Sequence, residues 1–228
     1  MTNVTQLFDA QQPDQRSAAI TKAAEAISQR ELIVLPTDTV YGVGADAFSP
    51  QAVAVLLAAK GRSRQSPPPV LIGSTNVLDA LAVNIPATGR QLAQAFWPGA
   101  LTLVLQAQPS LTWDLGETRG TVALRLPNDE LAQQILRQTG PLAVSSANRH
   151  GQPAATSINQ AQDALGEAVA VYINDGTRAD QQASTIVDCT VIPHRVLRAG
   201  AITIEQLRNV VPEMLDLDDP APEDSAAS

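Results

Sequence analysis

Cysteine is nearly absent from this chain. Cys189 stands alone, so no internal disulfide can form and no cysteine cluster can hold a metal. Histidine is almost as scarce, and His150 and His194 do not make a metal site by themselves. Aromatic residues are 3% of the 228, too few for the stacking platforms that grip single-stranded nucleic acid. No apolar run approaches the length that spans a bilayer. The first residues lack a basic stretch followed by an apolar core, so they do not read as a signal peptide. The expectation is a soluble, cytoplasmic protein with no membrane contact. The net charge of −8 is unevenly spread: residues 213–228 hold six acids and no base, which leaves 17 acids against 15 bases elsewhere. A body so close to neutral has no basic footprint for nucleic acid.

Familiar catalytic signatures are missing as well. No glycine-rich run ends in Gly-Lys-Ser or Gly-Lys-Thr, and no Gly-x-Gly-x-x-Gly opens a helix after a strand. No serine has the setting of a nucleophile elbow. Cys189 lies in an apolar run and reads as core, while His150 reads as an exposed loop residue.

What is present is an interleaving of helical and extended patterns. Residues 14–29 carry Ala19, Ile20, Ala23 and Ile27 on one helical stripe. Ser49 and Pro50 start a second helix that Gly61 ends. Residues 70–72, 101–105, 121–126, 141–145, 169–173, 184–191 and 194–198 read as strands. Helices are expected at 74–81, 87–96, 158–165 and 203–210, and one from a cap at Asn128 to about Gln138. The interleaving is not a strict βαβ alternation, which argues for one α/β domain around a mixed, twisted sheet flanked by helices. Residues 1–13 read as a flexible end, 14–211 as the domain, and 212–228 as a disordered acidic tail whose removal leaves stability unchanged.

Four polar segments interrupt this apolar framework. The first is Pro36-Thr37-Asp38-Thr39-Val40-Tyr41-Gly42. Extended chain sends Thr37, Thr39 and Tyr41 to one face and Asp38 and Val40 to the other. Residues 60–66 place Lys60, Arg62 and Arg64 just past a helix, either as a solvated surface or as a phosphate clamp. Ser145-Ser146-Ala147-Asn148 follows a buried strand, where α/β sheets tend to hold ligands, although an Asx-type turn reads equally well. Ser184-Thr185-Ile186-Val187-Asp188 is followed by Arg198-Ala199-Gly200. A set of hydroxyls, amides and cations without a nucleophile or histidine base suits ATP chemistry run by positioning and electrostatics.

Taken in order, these segments resemble the YrdC-like family of threonylcarbamoyl-AMP synthases. The matching residues are 36–42, Lys60-Gly61-Arg62, Trp97-Pro98-Gly99 with Leu101-Thr102-Leu103, Arg125 with Pro127, 145–148 with Gly151 and Pro153, 184–188, and Arg198 with Gly200. The resemblance implies a single YrdC-like domain with a concave, open binding face. It also implies a nucleotidyltransferase reaction in which L-threonine, bicarbonate and ATP give threonylcarbamoyl-AMP and pyrophosphate. Partner transferase proteins then modify an adenosine beside the tRNA anticodon, with at most weak tRNA contact by this chain. By the same resemblance Thr39, Arg125 and Ser184 hold L-threonine, the arginine forking onto its carboxylate. Lys60, Arg62, Ser66, Thr121, Ser146, Asn148 and Arg198 hold ATP, with backbone at Val144 and Ala154 lining the nucleotide. Lys60 and Arg62 stand nearest to the role of transition-state stabilisers. Magnesium arrives with ATP, and no protein side chain is assigned to it.

The chain departs from the family pattern at Leu71, where many members carry histidine, and at Ser63, where proline is common. Residues 67–69 are three prolines in place of the usual Lys-Pro-Leu. The chain ends soon after Arg198-Ala199-Gly200, which matches the short form. Two alternatives remain open on sequence alone: an RNA-binding module of the same fold, and a carbamoyl-transfer domain of the kind found in hydrogenase maturation factors.

Overall fold

The computed structural model describes residues 5–179 and 182–220. The strands are β1 (Gln6–Asp9), β2 (Ile33–Leu35), β3 (Gly42–Asp46), β4 (Val70–Leu71), β5 (Ala82–Val83), β6 (Leu101–Ala107), β7 (Thr121–Arg125), β8 (Leu142–Ser146), β9 (Val171–Asn174), β10 (Thr185–Asp188) and β11 (Arg195–Arg198). The helices are α1 (Pro13–Ser28), α2 (Pro50–Lys60), α3 (Leu78–Leu81), α4 (Ala87–Phe96), α5 (Glu130–Thr139), α6 (Ile158–Leu165) and α7 (Ile204–Arg208). One mixed sheet runs β1-β9-β2-β3-β8-β4-β7-β6-β10-β11, with β5 on β6.

Alternation along the strands sorts side chains into two apolar layers. Val34, Val43, Leu103, Val122, Leu124 and Val187 join α2, α4 and α6 on one face. Ile33, Leu35, Leu71, Leu142 and Val144 join α1 and α5 on the other. That second layer draws no residue from β7, β6, β10 or β11, so the helices leave half of that face bare. A cleft draws Thr102, Arg125 and Arg198 from the strands of that half.

Local chemistry sets the element ends. The Ser49 hydroxyl accepts from the Ala52 N–H, and Gly61 closes α2 at φ 64°, the left-handed region in which glycine carries no Cβ penalty. Ser157 and Thr203 each form a reciprocal capping box with a glutamine three residues on. The cap of α5 is Asp129, whose carboxylate accepts from Ala132 N at 2.8 Å, and not Asn128 as the sequence suggests. Both residues are good caps, and only the loop path from Pro127 selects between them.

Three further expectations need correction. The start of the chain is not frayed at residues 6–9, because β1 pairs in parallel with β9; residues 1–4 lie outside the described part. The segment 36–41 is not extended. It turns, with Thr37 Oγ1 donating to the Val40 carbonyl at 2.6 Å and accepting from Thr39 N at 3.2 Å, a local bond that threonine offers in competition with a strand. The acidic tail does not begin at Pro212. Met214 is 1% exposed, Leu215 N donates to the His194 carbonyl at 2.9 Å, and Val196 N donates to the Leu215 carbonyl at 2.9 Å. Arg195 then gathers the carbonyls of Asp216, Asp219 and Pro220 at 3.0, 2.8 and 3.1 Å. Residues 221–228 lie outside the described part.

Candidate functional site

Val122 and Leu124 enter the helix-covered layer beneath β7, so Thr121, Ala123 and Arg125 point to the bare face. Arg125 ends β7 inside a cleft with a cavity volume of about 130 Å³. Its guanidinium is fixed from three directions. Nε donates to the Gly99 carbonyl at 3.0 Å, Nη1 to Thr39 Oγ1 at 3.2 Å, and Nη2 to Asp38 Oδ1 at 2.5 Å. Five N–H bonds less these three leave one free hydrogen on each terminal nitrogen. Burial lowers the Arg125 pKa and Asp38 pulls it back up.

The opposite wall comes from β6, β10 and β11. Ser184 precedes β10 and exchanges a 2.9 Å hydrogen bond with Thr102 on β6. Arg198 at the end of β11 donates through Nε and Nη2 to the Ser184 carbonyl at 3.1 and 2.6 Å. Such contact requires the two backbones to lie close together. A Cβ at Gly200 would stand 2.3 Å from the Ala183 carbonyl oxygen and 2.5 Å from the Ser184 carbonyl carbon.

The third wall is the turn after α2. Arg62 lines the cleft, and its Nε is buried without a hydrogen-bond partner among the described residues. Burial first, then Arg125 and Arg62, lower the Arg198 pKa; three guanidinium groups therefore share one space. Arg125 has Asp38 beside it, whereas Arg62 and Arg198 have no carboxylate partner among the described residues; a cationic cluster short of counter-ions suits an anion that arrives from outside. The turn is held by the β6–β7 loop. Arg64 pairs with Asp114 at 2.8 Å, Glu117 N donates to the Arg64 carbonyl at 2.8 Å, and Trp113 stacks on Phe48 with ring centroids 5.5 Å apart.

Lys60 faces away from this space. It is 1% exposed and donates to the carbonyls of Ser146 and Asn148, and to Asn148 Oδ1 at 2.9 Å. Burial, with Arg62 adding repulsion, lowers its pKa to about 7. Among the described residues no group of three His, Cys, Asp or Glu side chains is arranged to hold a metal ion. No helix of the described residues is long and apolar enough to cross a membrane.

Residues 25–200 match the model of the Sua5/YciO/YrdC family, described as "Telomere recombination". The chain belongs to the Sua5/YciO/YrdC family. A Mycobacterium leprae relative, provisionally named threonylcarbamoyl-AMP synthase, is 49% identical over 92% of this chain and 96% of its own length. The threonylcarbamoyl-AMP synthase of Pyrococcus abyssi is 36% identical over 84% of this chain and 57% of its own. The structure of P. abyssi Sua5 complexed with L-threonine superposes with a TM-score of 0.83 at 34% identity, covering 86% of this chain and 58% of that one. The chain thus spans nearly the whole of the mycobacterial relative and a little over half of the archaeal one.

Within this Sua5/YciO/YrdC domain, the cleft brings together Thr39, Arg62, Arg125, Val144, Ser146, Ala154, Ser184 and Arg198 of the residues expected from sequence. Four others stand apart from its lining. Lys60 and Asn148 bind each other beneath it. Ser66 is exposed beyond the cationic turn. Thr121 shares the face of Arg125 four residues back along β7, about 13 Å away at the rise of a strand, and its hydroxyl donates to the Thr118 carbonyl at 2.8 Å. Leu71 lines the cleft as an apolar residue.

Sequence reading placed Thr102 in a matching segment without assigning it a role, and did not single out Arg178. Thr102 alternates with the core residues Leu101 and Leu103, a signal available in the sequence. Arg178 donates to Asp129 Oδ2 at 3.0 Å and lies 5.6 Å from the centre of the Tyr41 ring. Nothing in the polar run around Arg178 announces that partnership.

Proposed function

We propose that this protein is an L-threonylcarbamoyladenylate synthase. The observation that carries the reading is the cleft itself: three converging guanidinium groups, two of them held by the hydroxyl-bearing residues Thr39 and Ser184. The cluster suits two anionic substrates at once, an amino-acid carboxylate and a triphosphate. The names of the relatives favour a synthase over an RNA-binding module of the same fold. The L-threonine complex of the P. abyssi protein supports threonine as the amino acid.

In this reading Arg125 offers its two remaining N–H groups to the threonine carboxylate, with Thr39 and Ser184 beside it. Arg62 and Arg198 face the phosphates of MgATP, with Ser146 and the backbone at Val144 and Ala154 along the nucleotide. Lys60 and Asn148 hold the loop that carries Ser146. Ser66 and Thr121 belong to the outer reach of the nucleotide. The threonine amine combines with bicarbonate to give a carbamate and water. A carbamate oxygen attacks the α-phosphorus of ATP, and pyrophosphate leaves with the magnesium it came with. No protein nucleophile takes part; the chain positions the reactants and neutralises the charge of the leaving group. The product is then passed in the cytoplasm to transferase proteins that act on tRNA.

The test is pyrophosphate release from ATP by the full chain. Release that requires both L-threonine and bicarbonate is the expected result. Release that ignores either one, or no release together with no binding of ATP and threonine, overturns the reading.

A further inference from the structure

The cleft carries three guanidinium groups, but among the described residues only one carboxylate is bonded to a side chain that lines it. That carboxylate is Asp38. Its Oδ1 accepts from Arg125 Nη2 at 2.5 Å, and no bond among the described residues reaches Oδ2. The Asp38 side chain keeps 13% exposure against 7% for Arg125. Asp38 is not itself among the lining residues; it is flanked in the chain by Thr37 and Thr39, which are, and it is held against the lining residue Arg125. The nearby hydroxyls are already engaged: Thr37 with Val40, Thr39 with Arg125, and Ser184 with Thr102.

An α-amino acid carries a carboxylate and an ammonium on the same carbon. Arg125 and Asp38 present a cation and an anion side by side, the complementary arrangement. A carboxylate bound at the free hydrogens of Arg125 brings its own ammonium within a few ångströms of that guanidinium, and among the described residues Asp38 is the one carboxylate bonded to it. We propose that Asp38 receives the α-ammonium of the amino-acid substrate, so that the Arg125–Asp38 pair reads a zwitterion. The inference rests on the synthase reading and deepens it. It also gives the amine a defined place before it becomes a carbamate. A competing role is purely structural, in which Asp38 only holds Arg125, and the test separates the two.

Binding of L-threonine and of its deaminated analogue, (2S,3R)-2,3-dihydroxybutanoate, is measured by calorimetry with ATP present, on the full chain and on Asp38→Asn. The substitution keeps an oxygen for Arg125 and removes the charge. In the variant L-threonine weakens roughly tenfold to a hundredfold, the loss of one charge-assisted hydrogen bond, while the analogue changes by about twofold or less. Equal weakening of both ligands means that Asp38 acts only through Arg125 and overturns the proposal, as does unchanged threonine affinity. The unsubstituted protein gives a second check that needs no folded variant: it must prefer L-threonine to the analogue, and equal affinity sinks the proposal. Failure of the unsubstituted protein to bind L-threonine at all would instead overturn the synthase reading.

Discussion

Lys60, the last residue of α2, and Asn148, in the loop after β8, are joined side chain to side chain at 2.9 Å. The same ammonium also takes the backbone carbonyls of Ser146 and Asn148. The start of the cationic turn and the end of β8, whose Ser146 lines the cleft, are therefore tied at one atom. Lys60→Met is expected to leave the Asn148 carbonyl and Oδ1 without this donor, and the Ser146 carbonyl with only the Asn148 N–H, at a cost of about 2–4 kcal/mol of stability. A denaturant titration measures this. A midpoint within error of the parent would mean that the ammonium is not the tie.

Arg62 is expected to behave in the opposite way. Its side chain lines the cleft but makes no hydrogen bond or ion pair among the described residues, so Arg62→Ala, which keeps the backbone bond to the Leu57 carbonyl, removes a ligand contact and little else. Pyrophosphate release should fall at least about a hundredfold, as the loss of a charge-assisted phosphate contact requires, with the melting temperature unchanged or slightly raised. Near-normal turnover would remove Arg62 from the phosphate site.

The end of the described chain is part of the fold. Deleting residues 212–228 exposes the core position of Met214 and strips β11 of its neighbour Leu215. Loss of one buried methionine costs about 2–4 kcal/mol, and the melting temperature should drop by several degrees. A shorter deletion, of residues 221–228, keeps every one of these contacts and is expected to leave stability as it was. Differential scanning calorimetry on both truncations decides the matter.

Gly200 tests the close approach at the Ser184 wall, where the proposed function places threonine. In Gly200→Ala the added carbon meets backbone at 2.3 Å, and backbone cannot move aside as a side-chain tip can. The variant should lose about 1–3 kcal/mol and bind threonine more weakly, because Ser184 is displaced. Wild-type affinity in a folded variant would argue against that contact.

High pH offers a test of burial at Cys189. Desolvation, with Asp188 adding repulsion, raises its thiol from 9.0 to about 12. The folded state then holds a proton that the unfolded state releases, so this contribution to stability is complete below pH 9 and is lost between pH 9 and 12. The Tyr172 hydroxyl, raised by burial from 10.0 to about 12, acts with the same sign. Because Lys60, lowered to about 7, contributes with the opposite sign over part of this range, the readout is the difference between proteins: the parent's urea midpoint should fall relative to that of Cys189→Ala as pH rises from 9 to 12.

Much of the fold was legible because period and capping are local. The stripe on α1, the Ser49-Pro50 start and Gly61 stop of α2, and the alternation of β7 all read directly from neighbouring residues. β1 and the segment at Met214–Leu215 were not legible. Both are polar or mixed in composition, and each is ordered by a partner far along the chain, β9 in one case and β11 in the other. The arginines of the cleft were found through the motifs around them. That Lys60 serves a loop, and that Asp38 pairs with Arg125 across 87 residues, depends on tertiary approach that no local pattern encodes.

The β6–β7 loop contributes no side chain to the cleft lining, yet Asp114, Gly116 and Glu117 fix the turn that aims Arg62. A change in that loop can move the guanidinium without altering any residue that meets a substrate. Under the proposed function, nucleotide affinity is thereby open to adjustment by surface variation, and a screen confined to the cleft would overlook the positions where such adjustment is easiest.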